Sequence, residues 1–279
     1  MTTMNVPELD APMLPMLAAT VHDPDGRFLP LLHVQRRQFA LYAGVHAAAT
    51  RGTADRTLDA LRDAGAQVAM VEPGAAGETR RVALRAAVEA GADSVLVCDF
   101  DRWLHWGDRH PKELDGLSAR IARLRPTPWL VCLGRTTRAF LTHPRVQREA
   151  EGETIHALSL ALGRRVDATA GAAWLSREGA EIVLANSTER TSATDLEWPA
   201  LIDRADPRRL GFIANEGLEF ETGSFFGSEI VAAGGRDAWI QARYERPEIW
   251  AARLSLAAES ARALVRVLGD RPSSPPPGE

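Results

Sequence analysis

From about residue 14 to residue 138, short apolar segments rich in β-branched residues alternate with longer stretches of helical periodicity. That alternation predicts βαβ units built around a parallel sheet. The strands expected from it are Leu14–Val21, Phe39–Ala47, Gln67–Val71, Ser94–Cys98 and Trp129–Leu133. Helices are expected at Ala54–Ala64, Glu78–Ala90 and Lys112–Leu124, each followed by Gly, Pro or another breaker, with Val82, Leu84, Ala87 and Val88 marking one apolar face.

Beyond residue 138 the pattern changes. A helical stretch through Ile155–Leu162 leads into strand-like runs at Ala168–Leu175, Glu181–Ala185 and Gly211–Phe220. The longest helical pattern runs from Asp237 to Leu268 with Trp250, Leu254, Ala257, Ala261, Leu264 and Leu268 on one stripe, and Pro247 marks a kink or a true start within it. The expected organisation is a single α/β domain over residues 13–268, with a first half at 13–137, a second at 138–235 and a C-terminal helix at 236–268. Residues 1–12 are expected to be flexible, and the Ser- and Pro-rich tail at 269–279 disordered.

Composition narrows the setting. An apolar content of 45% can fill a large core, and a net charge of −4 gives no general attraction to nucleic acid or anionic lipid. The two cysteines, Cys98 and Cys132, each lie in an apolar run, which suits buried thiols in a reducing compartment. No basic leader and no apolar run of about 20 residues is present, so a cytoplasmic protein without a transmembrane segment is expected, with a homodimer admitted.

In open parallel sheets, ligands bind beyond the carboxyl ends of the strands. Here those ends carry His22-Asp23, Thr50-Arg51-Gly52-Thr53, Glu72-Pro73-Gly74 and Asp99-Phe100-Asp101. The last is the sharpest feature: an apolar strand that stops at two carboxylates one residue apart. Two such charges repel at a dry strand end, and a hard cation, Mg²⁺ or Mn²⁺, would offset this while taking further ligands from phosphate and water. The alternative is that one carboxylate caps the next helix and the other is solvated. Gly77-Glu78-Thr79-Arg80-Arg81 opens a helix whose N–H groups and guanidiniums could meet a pyrophosphate, or form a solvated face. Trp103, His105 and Trp106 could stack on a sugar or cover the core.

Taken in order, these segments resemble the GT-A glycosyltransferases, in particular the family-2 type. Arg51-Gly52-Thr53-Ala54-Asp55-Arg56-Thr57-Leu58 is similar to that family's D-G-S-T-D-x-T-L loop, Gly77–Leu84 to its G-K-x-x-A-L segment, and Asp99-Phe100-Asp101 to its D-x-D. Gly171–Ala180 is similar to the acceptor-side segment, and Thr194-Asp195-Leu196-Glu197 falls where the family has E-D-x-D. The resemblance implies metal-dependent sugar transfer from a nucleoside-diphosphate sugar to a hydroxylated acceptor. It implies Asp99 and Asp101 at the metal, and His22, Asp23, Thr50, Arg51, Thr53, Gly77, Arg80 and Arg81 around the donor. Asp195 is the implied base, with Glu197 as second choice; Asp195 could instead cap a helix beginning near Glu197. Thr50 and Arg51 replace the usual acidic residues at the base, and no histidine follows His156, so Glu216, Glu219, Glu221 or water would complete the metal shell. Two other readings remain: a haloacid-dehalogenase-type phosphatase, whose first motif is also a strand-end D-x-D, and a GT-A-like binding protein without turnover.

Overall fold

The computed structural model describes residues 14–269; the expectations for 1–12 and, apart from Gly269, for the tail lie outside the described residues. Seven strands form one sheet: β1 Met16–Val21, β2 Val45–Thr50, β3 Gln67–Val71, β4 Ser94–Asp99, β5 Leu130–Arg135, β6 Ala172–Ser176 and β7 Leu210–Asn215. Their order is β3-β2-β1-β4-β6-β5-β7, with β6 antiparallel to both neighbours and every other pairing parallel. The helices are α1 Leu29–Gln35, α2 Asp55–Asp63, α3 Ala76–Glu89, α4 Phe100–Arg109, α5 Pro111–Asp115, α6 Leu117–Ile121 and α7 Thr137–Leu141. They continue as α8 Arg145–Leu162, α9 Arg177–Asn186, α10 Thr194–Ala205, α11 Gly227–Ala232, α12 Arg236–Tyr244 and α13 Pro247–Leu268.

The strand period of two divides the core between the two faces of the sheet. On β1 and β4, Leu17, Ala19, Val21, Leu96 and Cys98 join one apolar cluster, and Ala18, Val95 and Val97 join the other. Cys98 and Cys132 are both buried free thiols in different clusters, as small core side chains.

Several expectations are corrected. The segment from Phe39 does not enter the sheet; Arg36–Leu41 is a 3₁₀ turn and the strand starts at Val45. Its apolar side chains are buried against α4 instead, where Phe39 meets Trp103 at 5.2 Å and the Trp103 indole donates to Tyr42 at 2.8 Å. Glu181–Ala185 is helical within α9, because the Ser176 hydroxyl accepts the Gly179 N–H as an N-cap and Ala180 and Val183 bury one face. A short apolar run cannot by itself distinguish strand from helix. The strand expected at 211–220 ends at Asn215, and that expected from residue 168 is paired only from Ala172. Lys112–Leu124 breaks at Gly116 into α5 and α6. Pro247 is a true helix start, separating α12 from α13, and the buried side of α13 carries Ser260, Ala263 and Leu264 while Leu254 is exposed.

The aromatic residues after the D-x-D cover the core. Trp103 and Trp106 are fully buried, and Trp103 stacks on Phe100 with centroids 5.5 Å apart and planes 8° from parallel. Replacing Trp103 by Ala removes this packing and orphans the Tyr42 hydroxyl; a loss of about 3–5 kcal/mol in urea-unfolding stability is expected.

Candidate functional site

The Ser94–Asp99 strand runs without a loop into α4. Asp99 therefore occupies the N-cap position with extended backbone (φ −64°, ψ 131°), and Asp101 lies in the first helical turn. The capping alternative is met only in part: Asp99 makes no side-chain cap bond, while Asp101 Oδ1 accepts the Arg102 N–H at 2.8 Å.

The two acids differ in their partners. Asp99 Oδ1 accepts from the Thr20 hydroxyl at 2.7 Å and from Arg80 Nε at 3.3 Å, and its Oδ2 accepts from Arg80 Nη2 at 2.9 Å. Arg80 comes from the first turns of α3 and is 5% exposed. Its Nη1 donates to Asp195 Oδ1 at 2.6 Å and to the Thr194 hydroxyl at 3.2 Å. One buried guanidinium thus joins the end of β4 to the start of α10. Burial opposes the charge of Arg80, yet Asp195 and Asp99 outweigh it and hold the guanidinium above its usual value. Burial also works against ionised Asp99, but Arg80 keeps that carboxyl below its ordinary range. Asp195 is pushed up to about 6, first by burial and also by Asp99, despite its bond to Arg80.

Asp101 has no such cation at hydrogen-bonding distance. Burial first, then the negative charges of Glu221 and Asp99, push its carboxyl up to about 7. Gly171, the first residue of the acceptor-side motif, lies against this strand end in the left-handed region (φ +64°), where a Cβ would fall 2.5 Å from Asp99 Oδ2. Its carbonyl accepts the Asp99 N–H at 3.0 Å, so a glycine is required both by the backbone and by the approach of the carboxylate.

Two cavities meet at Arg80 and Asp99. The outer cleft, about 670 Å³, is lined by Thr20, His22, Thr50, Thr79, Arg80, Asp99 and Asp101, by the Pro73–Ala76 turn, by Thr191 and Ser192, and by Ala252, Ser255, Leu256 and Glu259 of α13. The inner one, about 230 Å³, includes Arg102, Glu151, Asp195, Glu221, Tyr244 and Arg253. Of the residues proposed from sequence, His22, Thr50, Arg80, Asp99 and Asp101 face the outer cleft and Asp195 the inner cavity.

The others are placed elsewhere. Asp23 is consumed in folding its own loop, accepting from the Arg27 and Phe28 N–H groups and the Thr57 hydroxyl. Thr53 is buried behind Thr50, 3.3 Å from its hydroxyl, while Thr50 in turn lies 2.7 Å from His22 Nδ1. Arg51 pairs with Glu72 on the surface. The Gly77 N–H donates to the Arg190 carbonyl and is not free for a phosphate, and Arg81 bonds Ser187 and the Glu189 carbonyl. Glu197 is 2% exposed and accepts from the Thr188 and Glu189 N–H groups and the Ser187 hydroxyl, so it holds a loop and lines neither cavity. Glu216 and Glu219 bind Arg138, and Glu219 also faces His105 and His110 at 3.3 Å; only Glu221 of the three lies beside Asp101.

Sequence reasoning missed Thr20, Arg102, Glu151, Tyr244 and Arg253. Thr20, one residue before the end of β1, followed from the strand-end rule, and Arg102 directly follows the D-x-D in the first turn of α4; Glu151, Tyr244 and Arg253 reach the site from helices far along the chain. Among the described residues no three His, Cys, Asp or Glu side chains converge as a metal shell. The donor set nevertheless suits a hard cation that keeps water and phosphate ligands, since Asp101 is a half-buried carboxylate that lines the outer cleft without a basic partner at hydrogen-bonding distance.

No protein-family model matches the sequence and no curated protein is significantly similar to it. Solved structures are similar in shape. Glucosyl-3-phosphoglycerate synthase from Mycobacterium tuberculosis, in complex with Mn²⁺, UDP-glucose and phosphoglyceric acid, superposes with a TM-score of 0.60 at 15% identity, covering 91% of this chain and 79% of that one. The complex of the same enzyme with Mn²⁺, UDP-glucose and glycerol 3-phosphate gives 0.56 at 14% identity, with the same coverage. A structure described only as a mycobacterial protein gives 0.56 at 16% identity, covering 91% of this chain and 74% of that one. So few identities over so much of the chain establish the fold, and this chain has the GT-A fold that its order of motifs resembles.

Proposed function

We propose that the protein is a metal-dependent glycosyltransferase that moves a sugar from a uridine-diphosphate-type donor to an acceptor hydroxyl. The observation that carries this reading is the meeting of two cavities at the Asp99–Arg80–Asp195 bridge, an outer one large enough for a nucleotide sugar and an inner one for a small acceptor. The synthases of similar fold are complexes with Mn²⁺, UDP-glucose and a three-carbon phosphorylated acceptor, which supports the assignment of the two spaces. Free buried thiols at Cys98 and Cys132 fit a reducing, cytoplasmic setting.

In this reading His22 and Thr50 lie at the nucleoside end of the outer cleft, and Asp101 would hold Mg²⁺ or Mn²⁺. A bound divalent ion would supply Lewis-acid stabilisation of the departing diphosphate. Asp99 is a positioning residue: its charge is balanced by Arg80, and it fixes the guanidinium beside the place where negative charge grows on the leaving group. Asp195 is oriented by the same guanidinium through Oδ1 and receives the acceptor proton. Its raised value of about 6 makes it a better proton acceptor than an ordinary aspartate while leaving it mostly ionised at neutral pH.

The haloacid-dehalogenase-type reading loses support from the same geometry. A nucleophilic Asp99 would have to attack while both of its oxygens are engaged by Arg80, with Thr20 also donating to Oδ1.

Asp101→Asn is expected to lower Mn²⁺-dependent release of UDP from UDP-glucose by about a hundredfold or more, with far-ultraviolet circular dichroism unchanged; wild-type rates in that variant would remove Asp101 from the mechanism. Asp195→Asn is expected to lower kcat by about 10²–10⁴-fold with little change in the dissociation constant for UDP, as calorimetry would report.

The stability of the metal-free protein provides a third check. Asp101 binds its proton more tightly folded than unfolded, so its ionisation destabilises the fold as pH rises from about 4, reaching the full effect above about 7. Metal-free Asp101→Asn should therefore be more stable than wild type at pH 8, by an amount that vanishes towards pH 4. Saturating Mn²⁺ should remove the wild-type disadvantage at pH 8, as read in denaturant melts.

A further inference from the structure

The inner cavity has an unusual charge balance for a site that would take a phosphorylated acceptor. Three arginines line it, and each is already matched. Arg80 bridges Asp99 and Asp195, Arg253 Nη1 lies 3.4 Å from Glu151 Oε1, and Arg102 Nη1 lies 3.5 Å from Glu221 Oε2. Four carboxylates therefore face the cavity against three guanidiniums, with Arg135 behind the wall also pairing with Glu151 at 2.6 Å, and no lining cation is left over for an anion.

One pair is incomplete in a specific way. Arg102 and Glu221 are 8% and 5% exposed, yet Arg102 Nη1 and Glu221 Oε2 have no hydrogen-bond partner, including each other. A buried donor and a buried acceptor left open side by side are costly, and one group that both accepts and donates would satisfy them together. A hydroxyl does this, accepting from Arg102 and donating to Glu221. A carboxylate or a phosphate dianion can only accept, and it would meet the Glu221 charge at close range. The rest of the wall continues the theme, since Ser192, Thr222, Tyr244 and Ser260 add hydroxyls. At about 230 Å³ the space falls below the roughly 300 Å³ at which pockets for drug-sized ligands begin.

We infer that the inner cavity selects an uncharged, small polyhydroxylated acceptor, a polyol or monosaccharide, and excludes phosphorylated ones, with Arg102 and Glu221 as the specificity-determining pair. This rests on the transferase reading for the word acceptor, but the cavity's preference can be measured without turnover. It also sets this chain apart from the synthases of similar fold, whose complexes hold phosphoglyceric acid or glycerol 3-phosphate.

The test is ligand-observed NMR titration of the full-length protein, alone and with UDP and Mn²⁺, using the matched pairs glycerol and glycerol 3-phosphate, and glucose and glucose 6-phosphate. In at least one pair the neutral member should bind at least tenfold more tightly than its phosphorylated counterpart. Glu221→Gln, which removes the charge and keeps the shape, should narrow that preference at least tenfold by improving binding of the phosphorylated member. Equal or tighter binding of the phosphorylated members by the wild type, or no binding of any neutral member under either condition, overturns the inference. So does an unchanged preference in a folded Glu221→Gln protein. Calorimetry with UDP-glucose and Mn²⁺ reports separately on the transferase reading, because absent donor binding would sink that reading while the polyol titration in nucleotide-free protein still stands.

Discussion

The site depends on one buried cation. Arg80 stands between Asp99 at the end of β4 and Asp195 in the first turn of α10, with salt bridges of 2.9 and 2.6 Å. Burying a guanidinium is costly, and so is burying either acid alone; the three are tolerable because each oxygen–nitrogen contact is also a hydrogen bond. Removing the cation would leave two half-buried carboxylates near one another without their counter-charge. The bridge therefore ties the end of β4 to the start of α10, although its two acids lie 19 and 115 positions from Arg80.

This arrangement gives the two acids of the D-x-D different electrostatic lives. Asp99 has its counter-charge at hydrogen-bonding distance in Arg80, whereas Asp101 feels Arg102 only at longer range, so in the proposed reading Asp101 is the acid that would meet a cation. Both still border the same cleft, which is the condition the transferase reading requires. The inner cavity begins on the far side of the bridge, and there each lining guanidinium is already paired with a carboxylate. In the proposed reading, leaving-group stabilisation and acceptor selection would occupy these adjacent spaces, which meet at the Arg80 guanidinium.

Glu197 and Asp195 show why motif spacing underdetermines a role. Both lie in the first turn of α10, but a helix sends positions two apart to different faces. Asp195 points toward Arg80, whereas Glu197 is drawn into the N–H groups of residues 188 and 189. Arg80 and Arg81 part in the same manner at the start of α3: one is the buried bridge, the other ties down the loop at Ser187.

The sequence by itself determined the parallel first half of the sheet, the strand end that carries two carboxylates, and the polar loops delivered to that edge, because these follow from local periodicity and from the direction in which parallel strands point. It could not decide between strand and helix for Ile182-Val183-Leu184, or whether Phe39 pairs in a sheet or packs on α4, since short apolar runs satisfy either and only the neighbouring surface chooses. Nor could it show that Arg80 neutralises Asp99, or that Arg102 and Glu221 come together with open hydrogen-bonding atoms across more than a hundred residues. Charge pairing is a matter of distance and burial, and both quantities exist only once the chain has folded.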